Sequence, residues 1–348
     1  MKHVYSDILE FRGSHYDFGK RQGELLRKSF MLSNREREWR LRKPRFSIDV
    51  NETKQAFQRF SPQIWEELLG LRDGLDCSLE RVLKNFSGYR LDYVRSGCSI
   101  VTGKDFFVRN YDYHPKTYDG RFVLYEPTDG GYATIAPSSR VTGRMDGMNE
   151  KGLVMGYNFM HRKKPGDGFV CTMIGRFILE NCQTTKEAVQ LLKEIPHRHS
   201  FSYTLFDQNG DSIIVETTPR QVIERRASVC TNHFELLTEE NRYHLDDSKR
   251  RLSILQEAIE RDLTAMEAFR LLNDSKRGIF SKDYRNWSGT IHTTIYFPKQ
   301  LRMGFALGEV DKPFIFDFKK WLNGESLNLD RIDGYLETDI PFAQMEAH

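Results

Sequence analysis

The chain has 348 residues, enough for a large core and for one big domain or two moderate ones. Hydrophobic residues make up 39% and charged residues 29%, as in ordinary globular proteins. With 52 Lys plus Arg against 49 Asp plus Glu the net charge is only +3, too balanced for nucleic acid to be the main partner. The basic stretch at residues 34–45 (NREREWRLRKPR) reads as a solvated helix face rather than a nucleic-acid or membrane patch. The opening MKHVYSDILEFRGSHY has no signal-peptide core, and no window approaches the length of a membrane span. The expectation is a cytoplasmic protein with neither nucleic-acid nor membrane partner. Cys77, Cys98, Cys171, Cys182 and Cys230 are odd in number and irregular in spacing, which argues against a disulfide framework. No CxxC or HxxxH pair indicates zinc, so no metal and no organic cofactor is expected.

Taken in chain order, the first part reads as mainly helical. Residues 18–29 are charged around a few apolar positions. Residues 55–71 carry Phe57, Phe60, Ile64, Leu68 and Leu71 at helical spacing, and Pro62 can start a new helix there. Ser78 is suited to cap a helix over residues 78–85, with Glu80 in its first turn. The pattern changes near residue 98. Strands are predicted at residues 99–101, 106–110, 153–158, 203–206, 212–216, 228–231, 291–297 and 303–307, and Asn209-Gly210 is a hairpin turn signal. Between them lie helices, with Thr184/Glu187 and Thr264/Glu267 as capping boxes and residues 248–260 presenting Leu252, Leu255 and Ile259 on one face. The fold class is α+β: a helical segment over residues 1–97, then a mixed region over 98–348 rich in antiparallel pairs.

The chemistry concentrates at residues 96–112 (SGCSIVTGKDFFVRNYD). A two-residue loop at Gly103-Lys104 would set Cys98 opposite Arg109; a three-residue loop shifts the register by one. Either way a thiol, a guanidinium and the Asp112 carboxylate are gathered locally. A free thiol is mostly protonated near neutral pH, and permanently charged Arg109 can stabilise its thiolate. Asp112 can hold that Arg or bind an amine. Should the Gly97–Cys98 bond be cut by attack of the thiol on the Gly97 carbonyl, the new α-amine, with a pKa of about 8, becomes a built-in base. Taken singly, a Cys opening an apolar strand is just as readable as a packing residue.

A family resemblance covers most of the chain. Gly13, Tyr16, Gly19 and Gly23 resemble the opening of the isopenicillin N acyltransferase family. Gly97-Cys98-Ser99 is similar to its self-cleavage junction. Arg109-Asn110-Tyr111-Asp112 resembles a signature shared with choloylglycine hydrolases and penicillin V acylases. Gly147–Leu153 followed by Gly156-Tyr157-Asn158, then Thr231-Asn232-His233-Phe234, then Ser248, Arg251 and Leu255, resemble further blocks in the same order. The resemblance implies the N-terminal-nucleophile (Ntn) fold, a four-layer αββα sandwich. It implies Cys98 as nucleophile, Arg109 and Asp112 as polar supports, Asn158 and Asn232 as oxyanion or amine contacts, and Arg251 as a further support, with neighbouring Arg250 the alternative. Asn149 reads instead as a turn residue, and His233 as local structure or pocket lining.

The function expected is hydrolysis of a linear amide in a small N-acyl compound through a Cys98 thioester, after a cut between Gly97 and Cys98 that leaves the leading segment attached. The alternative is an acyltransferase moving an acyl group from a thioester such as acyl-CoA to an amine, for instance a β-lactam nucleus. A Cys–His hydrolase that never cuts itself and a non-catalytic binding protein are the remaining readings.

Overall fold

A computed structural model describes residues 1–42, 48–91, 97–160, 165–242 and 245–347. Residues 43–45 of the basic stretch and Ser96 lie outside the described residues. The chain opens with strand β1 (Lys2–Gly13) and helices α1 (His15–Leu26), α2 (Met31–Arg42), α3 (Val50–Phe60), α4 (Pro62–Leu75) and α5 (Leu79–Phe86). Strands β2 (Gly97–Thr102), β3 (Phe107–Tyr113), β4 (Arg121–Pro127), β5 (Thr134–Ser139), β6 (Gly143–Arg144), β7 (Asp146–Asn149) and β8 (Val154–Phe159) follow. Helices α6 (Cys171–Asn181) and α7 (Thr185–Glu194) lead to strands β9 (Phe201–Phe206), β10 (Ser212–Thr217), β11 (Val222–Arg225) and β12 (Val229–Cys230). Helices α8 (Leu245–Ile259) and α9 (Ala265–Leu272), strands β13 (Gly289–Phe297), β14 (Arg302–Leu307) and β15 (Phe314–Asp317), helix α10 (Phe318–Leu322) and strand β16 (Arg331–Leu336) complete it.

Among the described residues the strands form two sheets. The larger runs β11-β10-β9-β8-β7-β5-β4-β1-β16, with β6 attached to β5; the smaller runs β12-β2-β3-β13-β14-β15. Helices α6 and α7 cover the larger sheet, α8 and α9 cover the smaller, and β2 meets β8 where the sheets face each other. This is the four-layer αββα order. Strand alternation separates two cores. Cys98, Ile100, Phe107 and Tyr111 point between the sheets, whereas Val101 and Val108 join Leu252, Leu255, Phe269 and Leu272 under α8 and α9.

The mainly helical leading segment also contains a strand that the sequence reading did not place. Residues 2–13 form a long strand inside the larger sheet, parallel to β4 on one side and antiparallel to β16 on the other. Its partners lie more than a hundred residues away, so no local turn or hairpin signal announces it. The segment after it is helical as read: Pro62 opens α4, and the Ser78 side chain accepts the Arg81 N–H at the start of α5. Helices α1 and α4 cross with their backbones in contact. A Cβ on Gly19 would stand 2.0 Å from the Glu67 carbonyl oxygen, and one on Gly70 would stand 1.9 Å from that of Tyr16. Two glycines of the opening motif, Gly19 and Gly23, therefore serve this crossing.

The start of the basic stretch, Asn34 and Arg35, is less solvated than expected. Asn34 is buried and donates to the carbonyls of Ala343 and Glu346, and Arg35 pairs with buried Asp119 at 2.9 Å. Thr264 and Glu267 form the expected reciprocal capping box. Thr184 accepts the Glu187 N–H, but the Glu187 carboxylate takes the Gln183 N–H rather than that of Thr184. Strand β5 escaped the sequence reading because Pro137 argues against a strand. It is accommodated because pairing with β7 ends at Ile135.

Candidate active site

The hairpin of β2 and β3 carries the candidate residues, in a register different from the one expected. Cys98 lies opposite Tyr111 and Ile100 opposite Arg109, because the connecting loop is longer than two or three residues. A register two residues away keeps every side chain on its face, whereas a shift of one would have moved Arg109 to the far side of the sheet. Arg109 therefore still reaches the thiol diagonally, with Nη2 3.3 Å from Cys98 Sγ.

Every polar atom of Cys98 is engaged. Its N–H donates to Asn232 Oδ1 at 2.7 Å. Its carbonyl accepts from Asn158 Nδ2 at 3.0 Å and from Arg251 Nη1 at 2.7 Å. Arg251 Nη1 also reaches Ser99 Oγ, Nη2 reaches Asn232 Oδ1 at 3.0 Å, and Nε pairs with Asp247 at 2.8 Å. Arg250 instead turns to Asp247 and the Gly278 carbonyl, so Arg251 is the one of the pair that faces Cys98. Asn232 is braced in turn, Nδ2 donating to the Phe159 carbonyl and its backbone N–H to Ser248 Oγ. Asn158 Nδ2 is shared with the Cys230 carbonyl. Both side-chain amide N–H groups that the resemblance offers to an oxyanion are thus held by backbone carbonyls.

Asp112 does not hold Arg109. Residues 109 and 112 sit on opposite faces of β3, and Asp112 accepts from Thr290 Oγ1 at 2.7 Å on the α8 side. A Cβ on Gly97 would lie 3.2 Å from Asp112 Oδ2, so the carboxylate borders the junction residue. Burial pushes the Asp112 carboxyl up to about 6, against the pull of Arg251, Thr290 and Arg109. The carboxylate that does pair with Arg109 is Asp146 on β7, 2.6 Å from Nη1 and fully buried. The sequence reading missed Asp146. A strand arginine with no room for solvent needs a buried anion, and an Asp directly before the Gly147–Leu153 block was the available signal.

Burial also raises the Cys98 thiol, opposed by the Arg109 charge and by the Asp112 backbone N–H. In the uncut chain the sulfur is fully enclosed. A cleft of about 710 Å³ opens at the Gly97 junction, on the face of β3 that carries Asp112, bordered by Gly97, Asp112, Asn232, Arg251, Phe280 and Trp287. The remaining polar candidates lie elsewhere. Asn149 accepts the N–H groups of Lys151 and Leu153 in the β7–β8 turn and donates to the carbonyls of Leu179 and Cys182. His233 Nδ1 faces Ser248 Oγ at 2.8 Å. All five cysteines are free thiols; Cys171, Cys182 and Cys230 are buried and Cys77 is half-buried. Among the described residues no group of three His, Cys, Asp or Glu could hold a metal, and no helix is long and apolar enough to cross a membrane.

With this geometry in hand, the chain can be compared with known proteins. The family described as acyl-coenzyme A:6-aminopenicillanic acid acyl-transferase matches residues 101–312. No curated protein sequence matches the chain. Similar solved structures include penicillin V acylase from Agrobacterium tumefaciens, 18% identical, covering 72% of this chain and 94% of its own, with a TM-score of 0.44. Conjugated bile acid hydrolase from Clostridium perfringens is 15% identical over 71% of this chain and 98% of its own, with a TM-score of 0.45. The Caenorhabditis elegans orthologue of N-acylethanolamine-hydrolyzing acid amidase is 12% identical over 58% of this chain and 93% of its own, with a TM-score of 0.41.

Proposed function

Because the chain belongs to the acyl-coenzyme A:6-aminopenicillanic acid acyl-transferase family of Ntn-fold enzymes, we propose that Cys98 is the nucleophile of its acyl-transfer reaction. The observation that carries this reading is the clamp on Cys98. Asn232, Asn158, Arg251 and Arg109 engage its N–H, carbonyl and sulfur from four separate elements or loops. A cysteine present only for packing needs no such set of buried polar partners, each of which must be desolvated to be there.

In the proposed activation the Cys98 sulfur attacks the Gly97 carbonyl carbon and the Gly97–Cys98 C–N bond breaks. Water then resolves the thioester, leaving a Gly97 carboxylate and a free Cys98 α-amine. Asn232 Oδ1 already accepts that nitrogen's proton, so it would aim the new amine. In turnover the amine takes the thiol proton, the thiolate attacks the substrate's acyl carbon, and the amide nitrogen leaves carrying the proton. Asn158 and Arg251 act through the Cys98 carbonyl as positioning residues, and Asp112 borders the place where leaving amine and junction meet. The leading segment is proposed to stay attached, since β1 is an interior strand of the larger sheet. A small N-acyl amide is the proposed substrate.

The family's acyl-transferase name favours a second reading, in which an amine rather than water resolves the thioester. Incubation with an acyl-thioester and an amine acceptor separates the two by the presence of amide product. A Cys–His hydrolase is disfavoured by His233, which is turned to Ser248 and Thr231. The mechanism class is tested by intact mass with N-terminal sequencing after prolonged incubation. Two chains are expected, the second starting at Cys98. One active species of 40.9 kDa would overturn self-cleavage.

A further inference from the structure

Arg109 is a buried cation whose neighbours leave it little freedom. Its guanidinium lies between the rings of Tyr111 and Tyr157, with centroids at 5.1 and 4.9 Å. Nη2 is divided between Cys98 Sγ at 3.3 Å and the Tyr157 carbonyl at 2.7 Å. Gly156, paired across strands with Asp146, makes room for it: a Cβ there would stand 2.9 Å from Arg109 Cδ. The remaining anchor is Asp146, which crosses from the larger sheet to reach Nη1 at 2.6 Å. The other carboxylate oxygen of Asp146 accepts from Tyr296 Oη, and His292 Nε2 stands 3.6 Å from the oxygen that faces Arg109. The His292 ring is itself stacked on Tyr111. The carboxylate is thus locked by β13 on one side and locks Arg109 on the other.

We propose that Asp146 is a positioning residue for catalysis: held by Tyr296, it fixes the Arg109 guanidinium so that its Nη2 edge faces the Cys98 sulfur. The inference rests on the reading of Cys98 as nucleophile. Without Asp146 the guanidinium keeps its charge, since arginine does not deprotonate, but loses the anchor that sets its torsion about the Cδ–Nε bond. It is then drawn to the remaining acceptor, the Tyr157 carbonyl, and away from the thiol. Burial then acts on the thiol with less opposition, and less thiolate is available at a given pH. Asp146 touches neither the sulfur nor the cleft, so its whole effect passes through Arg109.

The experiment is steady-state turnover of an N-acyl amide across pH for Asp146→Asn, Tyr296→Phe, Arg109→Gln, the Asp146→Asn/Arg109→Gln double variant and Cys98→Ala. Asp146→Asn is expected to lower kcat by about tenfold or more with KM little changed. The acid limb of its pH profile should move up by about one pH unit. Tyr296→Phe, which keeps the carboxylate and removes one donor, should show the same direction with a smaller shift, so the idea stays testable if Asp146→Asn folds poorly. The double variant should be no slower than Arg109→Gln alone, because the two side chains act as one unit. Unshifted pH profiles in both Asp146→Asn and Tyr296→Phe, or additive losses in the double variant, would overturn the proposal while leaving Cys98 as nucleophile. Turnover persisting in Cys98→Ala would overturn both.

Discussion

Two of the buried clusters of charge are used differently. In the first, between the leading segment and α6, Arg176 on α6 pairs with Glu67 of α4 at 2.5 Å and with Glu180 of its own helix. His15 of α1 bridges Glu180 at 3.1 Å and Asp129 at 2.6 Å, and Gln22 donates to Glu67. Burial disfavours a charged His15, but the hydrogen bond and charge of Glu180 outweigh it and its pKa is raised. Cation meets anion, and the cluster joins the leading helices to the four-layer body. In the second, around Cys98, the charges are arranged about a thiol instead. Arg109 spends one edge on Asp146 and turns the other to sulfur, while Asp112 borders a cleft rather than a cation at contact distance. A network of cations paired with carboxylates holds parts together; one with an edge left for a reacting atom can do chemistry.

The contrast can be broken from either side. The largest stability effect is expected at the first cluster. Arg176→Met takes the ion-pair partner from Glu67 and leaves Glu180 only His15, and should cost about 3–5 kcal/mol, read from urea unfolding, while turnover per folded molecule stays near that of the parent. Next is the helix crossing beside it. Gly70→Ala places a methyl against the Tyr16 carbonyl, where only a backbone shift can relieve it, and should cost about 2–3 kcal/mol in the same assay. The smallest effect sharpens the other side. The folded-state pKa of Asp112 is raised to about 6, so stability is highest below its unfolded value near 4 and falls as pH rises through 6. Asp112→Asn should therefore match the parent in stability at low pH and exceed it by on the order of 2 kcal/mol above pH 6, yet lose turnover. A stability gain at low pH instead would contradict the assignment of burial as the cause.

Much of the site was legible because it is local or motif-borne. Cys98, Arg109 and Asp112 share one hairpin, and Asn158, Asn232 and Arg251 sit in blocks whose order resembles a family. The structure brings the other five to Cys98 or its junction. What was not legible depends on partners far along the chain or on loop length. The hairpin register was misplaced because Phe107 rather than an earlier residue begins the return strand. Strand β1 was hidden because β4 and β16, which pair with it, are remote. The partnership of Arg109 with Asp146 crosses between sheets, and alternation within one strand carries no record of what stands opposite.

The most direct test of the account is to incubate the purified protein with an N-acyl amide, quench it in acid during turnover, and map the acyl mass by peptide analysis. The account predicts the acyl group on the peptide that begins at Cys98, and neither adduct nor turnover in Cys98→Ala. An acyl group on any other residue, or parent-like turnover in Cys98→Ala, would contradict it.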